Sequence, residues 1–122
     1  MEWSFSDDRP IWQQLTEQIT LRILKGEYPA GSRLPAVREL AAQAGVNPNT
    51  MQRAMAQLEQ NGLAVSSRTA GRTVTDDITV IQQVRRERAH EAVAQYLNII
   101  RELGYCQADA ITFLKEVLQQ HE

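Results

Sequence analysis

The chain has a single cysteine, Cys106, among its 122 residues. That excludes an internal disulfide framework and leaves no Cys/His set spaced for structural zinc. The two histidines, His90 and His121, stand far apart without a third ligand beside them, so neither a metal nor a cofactor is expected. No apolar run approaches the roughly 18 residues that suggest a membrane span, and Met1-Glu2-Trp3-Ser4 lacks the basic-then-apolar pattern of a secretory signal. These absences predict a soluble cytoplasmic protein with no membrane partner. Internal repeats, low-complexity tracts, a Ser/His/Asp set and a phosphate-cradling glycine loop are all missing as well, so an enzyme is not expected. With 43% hydrophobic and 23% charged residues, the composition is that of a small globular chain that folds by packing alone.

Strong net charge is also missing, but the −2 total hides an uneven distribution. Residues 1–8 carry three acids and no Lys or Arg, residues 9–75 carry eight Lys/Arg against four acids, and residues 76–122 carry five against eight. A basic middle inside an acidic chain can hold a polyanion locally, although a pI of about 5.7 makes that signal modest.

Hydrophobic spacing supplies the elements. Asp8 before Arg9-Pro10 reads as a helix start, and Ile11, Leu15, Ile19 and Ile23, with Trp12 beside them, line one face of a first helix over about 10–25, stopped by Gly26. Turn formers fill 26–32. A second helix begins after Leu34-Pro35, with Val37, Leu40, Ala41 and Ala44 as its apolar positions, and ends at Gly45. Gly45-Val46-Asn47 is then a short turn, Asn47 can cap, and Pro48 suits the first position of a third helix. Met51, Ala54, Met55 and Leu58 lie on one side of that helix, while Asn49, Arg53 and Gln57 face the other way with Thr50 and Gln52 on the flanks. After Asn61-Gly62, residues 63–68 and 72–75 read as two short strands around Thr69-Ala70-Gly71. A long helix over 78–103 and a last helix, preceded by Cys106 and Asp109 in the positions of a capping box, complete the chain.

The expected fold is therefore mainly α with a small β-hairpin: a winged helix-turn-helix followed by a C-terminal helical dimerisation segment. It divides into an N-terminal arm over 1–9, a DNA-binding domain over 10–76 and a helical segment over 77–122. The second helix of such a motif fits the major groove of B-DNA. Asn and Gln amides pair bidentately with adenine N6/N7, Arg pairs with guanine O6/N7, and Thr touches either polar edges or a thymine methyl. Asn49, Thr50, Gln52 and Arg53 supply all three types in the first turns. A solvated polar face would explain any one isolated helix equally well; the turn, the Pro48 start and the basic hairpin favour base reading. The alternative is a winged helix used for protein contact without specific DNA binding, which steep salt dependence would exclude.

The chain resembles the GntR family of bacterial transcription regulators through four stretches: Gly31-Ser32-Arg33-Leu34-Pro35-Ala36-Val37-Arg38-Glu39-Leu40-Ala41, Gly45-Val46-Asn47-Pro48-Asn49-Thr50-Met51, Leu58-Glu59-Gln60-Asn61-Gly62-Leu63 and Gly71-Arg72-Thr73-Val74. Short length and the two-helix tail make it look most like the YtrA-like subgroup. That resemblance implies a dimeric repressor on an inverted-repeat operator, often of an operon encoding an ATP-driven transporter. It also implies phosphate or groove contacts from Arg33 and Arg38, groove contacts around Thr50, and a wing from Arg68 through Gly71 and Arg72 to Thr73 against the minor groove or backbone. The chain departs from the family pattern at Pro48, where many members have a basic residue, at Thr69, where many have glycine, and at Ala36, where serine is frequent.

The remaining features have plainer readings. Two amphipathic C-terminal helices with no further domain are expected to bury Ile81, Val84, Ile99, Ile100, Leu114 and Leu118 against a second copy. They leave room for a small-molecule effector only at that interface. Arg85, Arg86 and Arg88, interleaved with Glu87 and Glu91, read as a solvated face, Cys106 as a packed residue, and Trp3 with Phe5 as a hydrophobic arm docking onto its own domain.

Overall fold

The computed structural model of the chain describes residues 2–121. Met1 of the expected arm and Glu122 of the expected C-terminal segment lie outside them. Between Gln83 and Val84 the chain divides into two compact units.

The first unit is built on α1 (Ile11–Leu24), α2 (Val37–Ala44) and α3 (Pro48–Gln60), followed by β1 (Ala64–Ser67), β2 (Gly71–Val74) and the start of α4 (Ile78–Glu102). Leu15, Ile19 and Ile23 are buried along α1, as their spacing predicts, while Ile11 and Trp12 are half-buried. The helix start expected at Asp8, with its side chain as the cap, is not formed. The Asp8 carboxylate accepts the Ser6 hydroxyl, Pro10 occupies the N-cap position without a side-chain bond, and the helix starts at Ile11.

Local preference at Asp8 yields to a longer-range partner, the buried side chain of Gln14. Gln14 Oε1 accepts the Ser6 N–H at 2.8 Å, and Nε2 donates to the carbonyls of Ser6 and Arg9 at 2.9 and 2.8 Å. Gln18 makes the same double bond with Ser4, at 3.1 and 2.6 Å. The arm thus runs back along α1 with its backbone bonded to glutamine amides. Beyond Ser4, the Trp3 ring lies 3.5 Å from the guanidinium carbon of Arg22, a fully buried cation that also pairs with Glu27 at 3.2 Å. Gln14→Ala would leave the arm's polar backbone groups without partners against α1, so a loss of about 1–3 kcal/mol in denaturant unfolding is expected. A change below a few tenths would mean the arm is bound by other contacts.

Gly45 closes α2 in the left-handed region at φ 71°, and Asn47 Oδ1 accepts the Asn49 N–H at 2.7 Å to open α3 at Pro48. Met51, Ala54, Met55 and Leu58 are completely buried, and α3 packs on both α1 and α2. Ala36 stands at the N-cap of α2 with no side-chain bond to offer. Ala36→Ser is therefore expected to raise stability by about 1 kcal/mol, read as a higher Tm.

The two strands pair antiparallel in the register Ala64↔Val74 to Ser67↔Gly71; the first is shorter than expected by one residue at each end, and the second is shifted by one residue, so that Gly71 joins the strand and Thr75 leaves it. The far edge of β2 is covered too: Leu34 donates to the Arg72 carbonyl at 2.9 Å and Val74 to the Ser32 carbonyl at 2.8 Å, with Arg33 opposite Thr73. Thr69 in place of glycine costs nothing, because the hairpin takes a positive φ only at Gly71, at 69°, while Ser67 Oγ accepts the N–H groups of Thr69 and Ala70.

In the second unit, α4 continues to Glu102 and α5 spans Gln107–Gln120. Asp109 accepts the Cys106 N–H at 3.0 Å, the acidic half of the expected capping box, and the Tyr96 hydroxyl donates to the Ala110 carbonyl at 2.6 Å. Cys106 is exposed, so its expected burial is corrected: its position at the start of α5 turns it outward.

Of the residues expected to seek cover in a partner, Ile81 and Ile100 are already buried within the single chain. Val84 is half-buried, and Ile99, Leu114 and Leu118 are exposed, together with Val93, Ile111 and Val117. Among the described residues no helix is long and apolar enough to cross a membrane.

Candidate nucleic-acid interface

The packing of α3 decides which of its side chains are available. With four apolar residues locked into the core, Asn49, Gln52 and Arg53 emerge exposed and Thr50 is half-buried. Arg33 and Arg38 are exposed just before and within the first turn of α2, and Arg68 is exposed in the turn of the hairpin. The Arg33 side chain passes beside Gly71, whose φ of 69° is the feature that favours glycine there. Between the wing and the start of α2 lies a recess of about 290 Å³ lined by Arg33, Ala36, Ser66, Ser67 and Arg72 among others. Thr73 is half-buried in β2, opposite Val65 on one side and Arg33 on the other.

Of the expected DNA contacts, Arg53, Arg72, Gln52 and Thr73 have side-chain partners within the chain. Arg53 lies over the Trp12 ring, its guanidinium carbon 4.2 Å from the ring centroid, which braces the cation against α1. Arg72 is tied more firmly. Its Nε donates to Glu59 Oε1 in an ion pair, its Nη1 reaches Gln52 Oε1 at 3.5 Å, and the same Glu59 oxygen accepts the Ser66 hydroxyl. Glu59 thus joins the end of α3 to both strands of the wing.

The Ser66 hydroxyl and then the Arg72 guanidinium hold the Glu59 carboxyl below its ordinary range. A depressed folded-state value means that this tie contributes stability at neutral pH and loses it as pH falls through that value.

Neither Glu59 nor Trp12 was singled out from the sequence as part of the surface. The one signal for Glu59 is that it stands seven residues after Gln52, two turns along the same face of α3; its basic partner comes from another element. Trp12 read as part of the α1 core stripe, and only the approach of α3 reveals its second role.

Two helices joined by a tight turn, the second presenting exposed amides and a guanidinium beside an arginine-bearing hairpin, define a winged helix-turn-helix DNA-binding protein. Residues 12–74 match the family described as bacterial regulatory proteins, gntR family. The chain belongs to the GntR family and is a DNA-binding transcriptional regulator.

It is similar to the HTH-type transcriptional regulator YhcF of Bacillus subtilis, at 29% identity over 115 residues covering 94% of this chain and 95% of that one. It is also similar to the HTH-type transcriptional repressor YtrA of the same organism, at 37% over 68 residues covering 56% and 52%. A GntR family transcriptional regulator from Listeria monocytogenes superposes with a TM-score of 0.84 at 34% identity, covering 92% of this chain and 98% of that one. The AraR DBD in complex with operator ORX1 superposes at 0.56 with 28% identity, covering 62% and 96%.

Proposed function

We propose that the chain is a homodimeric repressor whose two copies of α3 read the half-sites of an inverted-repeat operator. The observation that carries this reading is the adjacency of the exposed edge of α3 to the basic wing, joined through Gln52 and Arg72. A helix that enters the major groove is then flanked by guanidinium groups able to reach the backbone. Asn49, Thr50, Gln52 and Arg53 meet base edges, while Arg33, Arg38, Arg68, Gly71, Arg72 and Thr73 hold the backbone or minor groove.

On this reading residues 10–76 bind DNA and residues 77–122 dimerise. The exposed stripe of Ile99, Leu114 and Leu118 supports the second part, as does an apolar groove of about 370 Å³ between α4 and α5 lined by Val93, Tyr96, Ile111 and Leu114. Two-fold symmetry of the protein then imposes two-fold symmetry on the site. The repressor sense is supported by the function of the similar YtrA, and the resemblance to YtrA-like regulators points to an operon encoding an ATP-driven transporter. Any small-molecule effector belongs at the dimer interface, and the regulator acts in the cytoplasm.

The test combines sedimentation at micromolar concentration without DNA, binding to duplexes selected by the full chain, and transcription from a promoter carrying the selected site. A dimer, a symmetric site and lowered transcription are expected. A monomer would remove the two-fold reading, and affinity insensitive to salt would favour a protein-contact role instead.

A further inference from the structure

We propose that Arg72 fixes the side-chain amide of Gln52 so that this residue reads base edges that present only acceptors, guanine O6/N7 or thymine O4, and rejects adenine. The inference rests on the reading that α3 enters the major groove.

The free amide of a glutamine is ambivalent. Turned one way it offers an acceptor and a donor together, which suits adenine N6/N7, and that is the pairing expected from residue type alone. Here the ambivalence is removed from the wing side. Glu59 holds Nε of Arg72, and because the guanidinium is a rigid planar fork, fixing one nitrogen restricts the others. Nη1 thereby lies 3.5 Å from Gln52 Oε1.

The separation makes this a weak bond, but its sign decides the orientation. With the oxygen toward Arg72 the amide dipole faces a cation favourably, whereas the flipped amide would set N–H against N–H⁺ with no acceptor between them. With Oε1 turned to the wing, Nε2 and its two hydrogens are left for the groove. Guanine satisfies both hydrogens and thymine one. Adenine loses the acceptor that its exocyclic amine requires and leaves that amine unpaired in the interface. Glu59 is thus a positioning residue: it touches no base in this scheme and acts through Arg72.

The experiment selects duplexes from a random pool with the purified full-length chain, and repeats the selection with Gln52→Ala and Glu59→Gln. The position whose preference disappears in Gln52→Ala marks the base that this residue reads. In the unmodified chain that pair is expected to be read through acceptors alone: 7-deazaguanine in a G·C pair, or a thymine lacking O4 in an A·T pair, should weaken binding about tenfold, whereas replacing adenine by purine, which removes only the N6 amine, should leave it unchanged. Glu59→Gln, which removes the charge that holds Arg72, should make binding to an A·T pair at that one position sensitive to the loss of adenine N6 and leave the other positions unchanged.

A tenfold loss on removing adenine N6 or cytosine N4 at the Gln52-dependent pair would overturn the proposal, as would a Gln52→Ala selection identical to that of the unmodified chain, or a folded Glu59→Gln variant that stays insensitive to the loss of adenine N6. If Glu59→Gln does not fold, the altered-base duplexes with the unmodified chain decide alone. No enriched sequence at all would instead overturn the underlying reading of sequence-specific DNA binding.

Discussion

Removing the guanidinium groups of Arg38, Arg68 and Arg72 together is expected to reduce the magnitude of the slope of log affinity against log salt by about three units. Each phosphate neutralised on duplex DNA contributes about 0.9 to that slope through released counterions. At about 0.1 M salt the same change corresponds to a loss on the order of a hundredfold to a thousandfold, shared by specific and random duplexes. Asn49→Ala on the same operator should behave differently, costing about 1–3 kcal/mol on the specific site with the slope nearly unchanged. Arg72 should also stand apart from Arg38 and Arg68, because its loss releases Glu59 and Gln52 as well as a phosphate. Titrations by fluorescence anisotropy at several salt concentrations measure each slope. An unchanged slope in the triple variant would show that DNA does not lie against this surface.

Leu58→Ala is expected to lower stability by about 2–5 kcal/mol. The side chain is completely buried on the face of α3 that packs on α1 and α2, so truncation both forfeits transfer free energy and leaves a cavity that the surrounding helices fill only in part. For a chain of this size that is a fall in Tm on the order of 10 °C. The consequence for function follows from the same contact. Met51, Ala54, Met55 and Leu58 set the rotation of α3 about its axis, and that rotation determines which polar residues emerge. A loosened helix should therefore bind its operator less tightly even at temperatures where it remains folded. A Tm within about 2 °C of the unmodified chain would show that this face of α3 is not the core.

Much of the helical framework was legible in the sequence because its causes are local. Gly45 supplies the left-handed residue that ends α2, Asn47 supplies the side-chain acceptor, and Pro48 supplies a first-turn residue that needs no N–H partner. Such signals act within a few residues and survive any tertiary context that does not oppose them. Where a distant side chain competed, they failed. Asp8 had the chemistry of a cap, yet Gln14 and Gln18 captured the backbone of the arm and carried residues 4–9 along α1. Ile81 and Ile100 likewise read as apolar surface in need of a partner, but whether a helical stripe is already covered depends on which elements return to it.

For the candidate site, amino-acid type and period were enough to determine which residues of α3 turn away from the core, since an amphipathic helix allows only one burial of Met51, Ala54, Met55 and Leu58. The state of the exposed groups was decided only in three dimensions. Arg53 braced on Trp12, and Arg72 shared between Glu59 and Gln52, join residues from separate elements at sequence separations of 41, 13 and 20. Hydrophobic periodicity carries no information about such pairs. It records which face of an element seeks cover, whereas a cation and its partner are brought together by the crossing of helices and the closing of the hairpin.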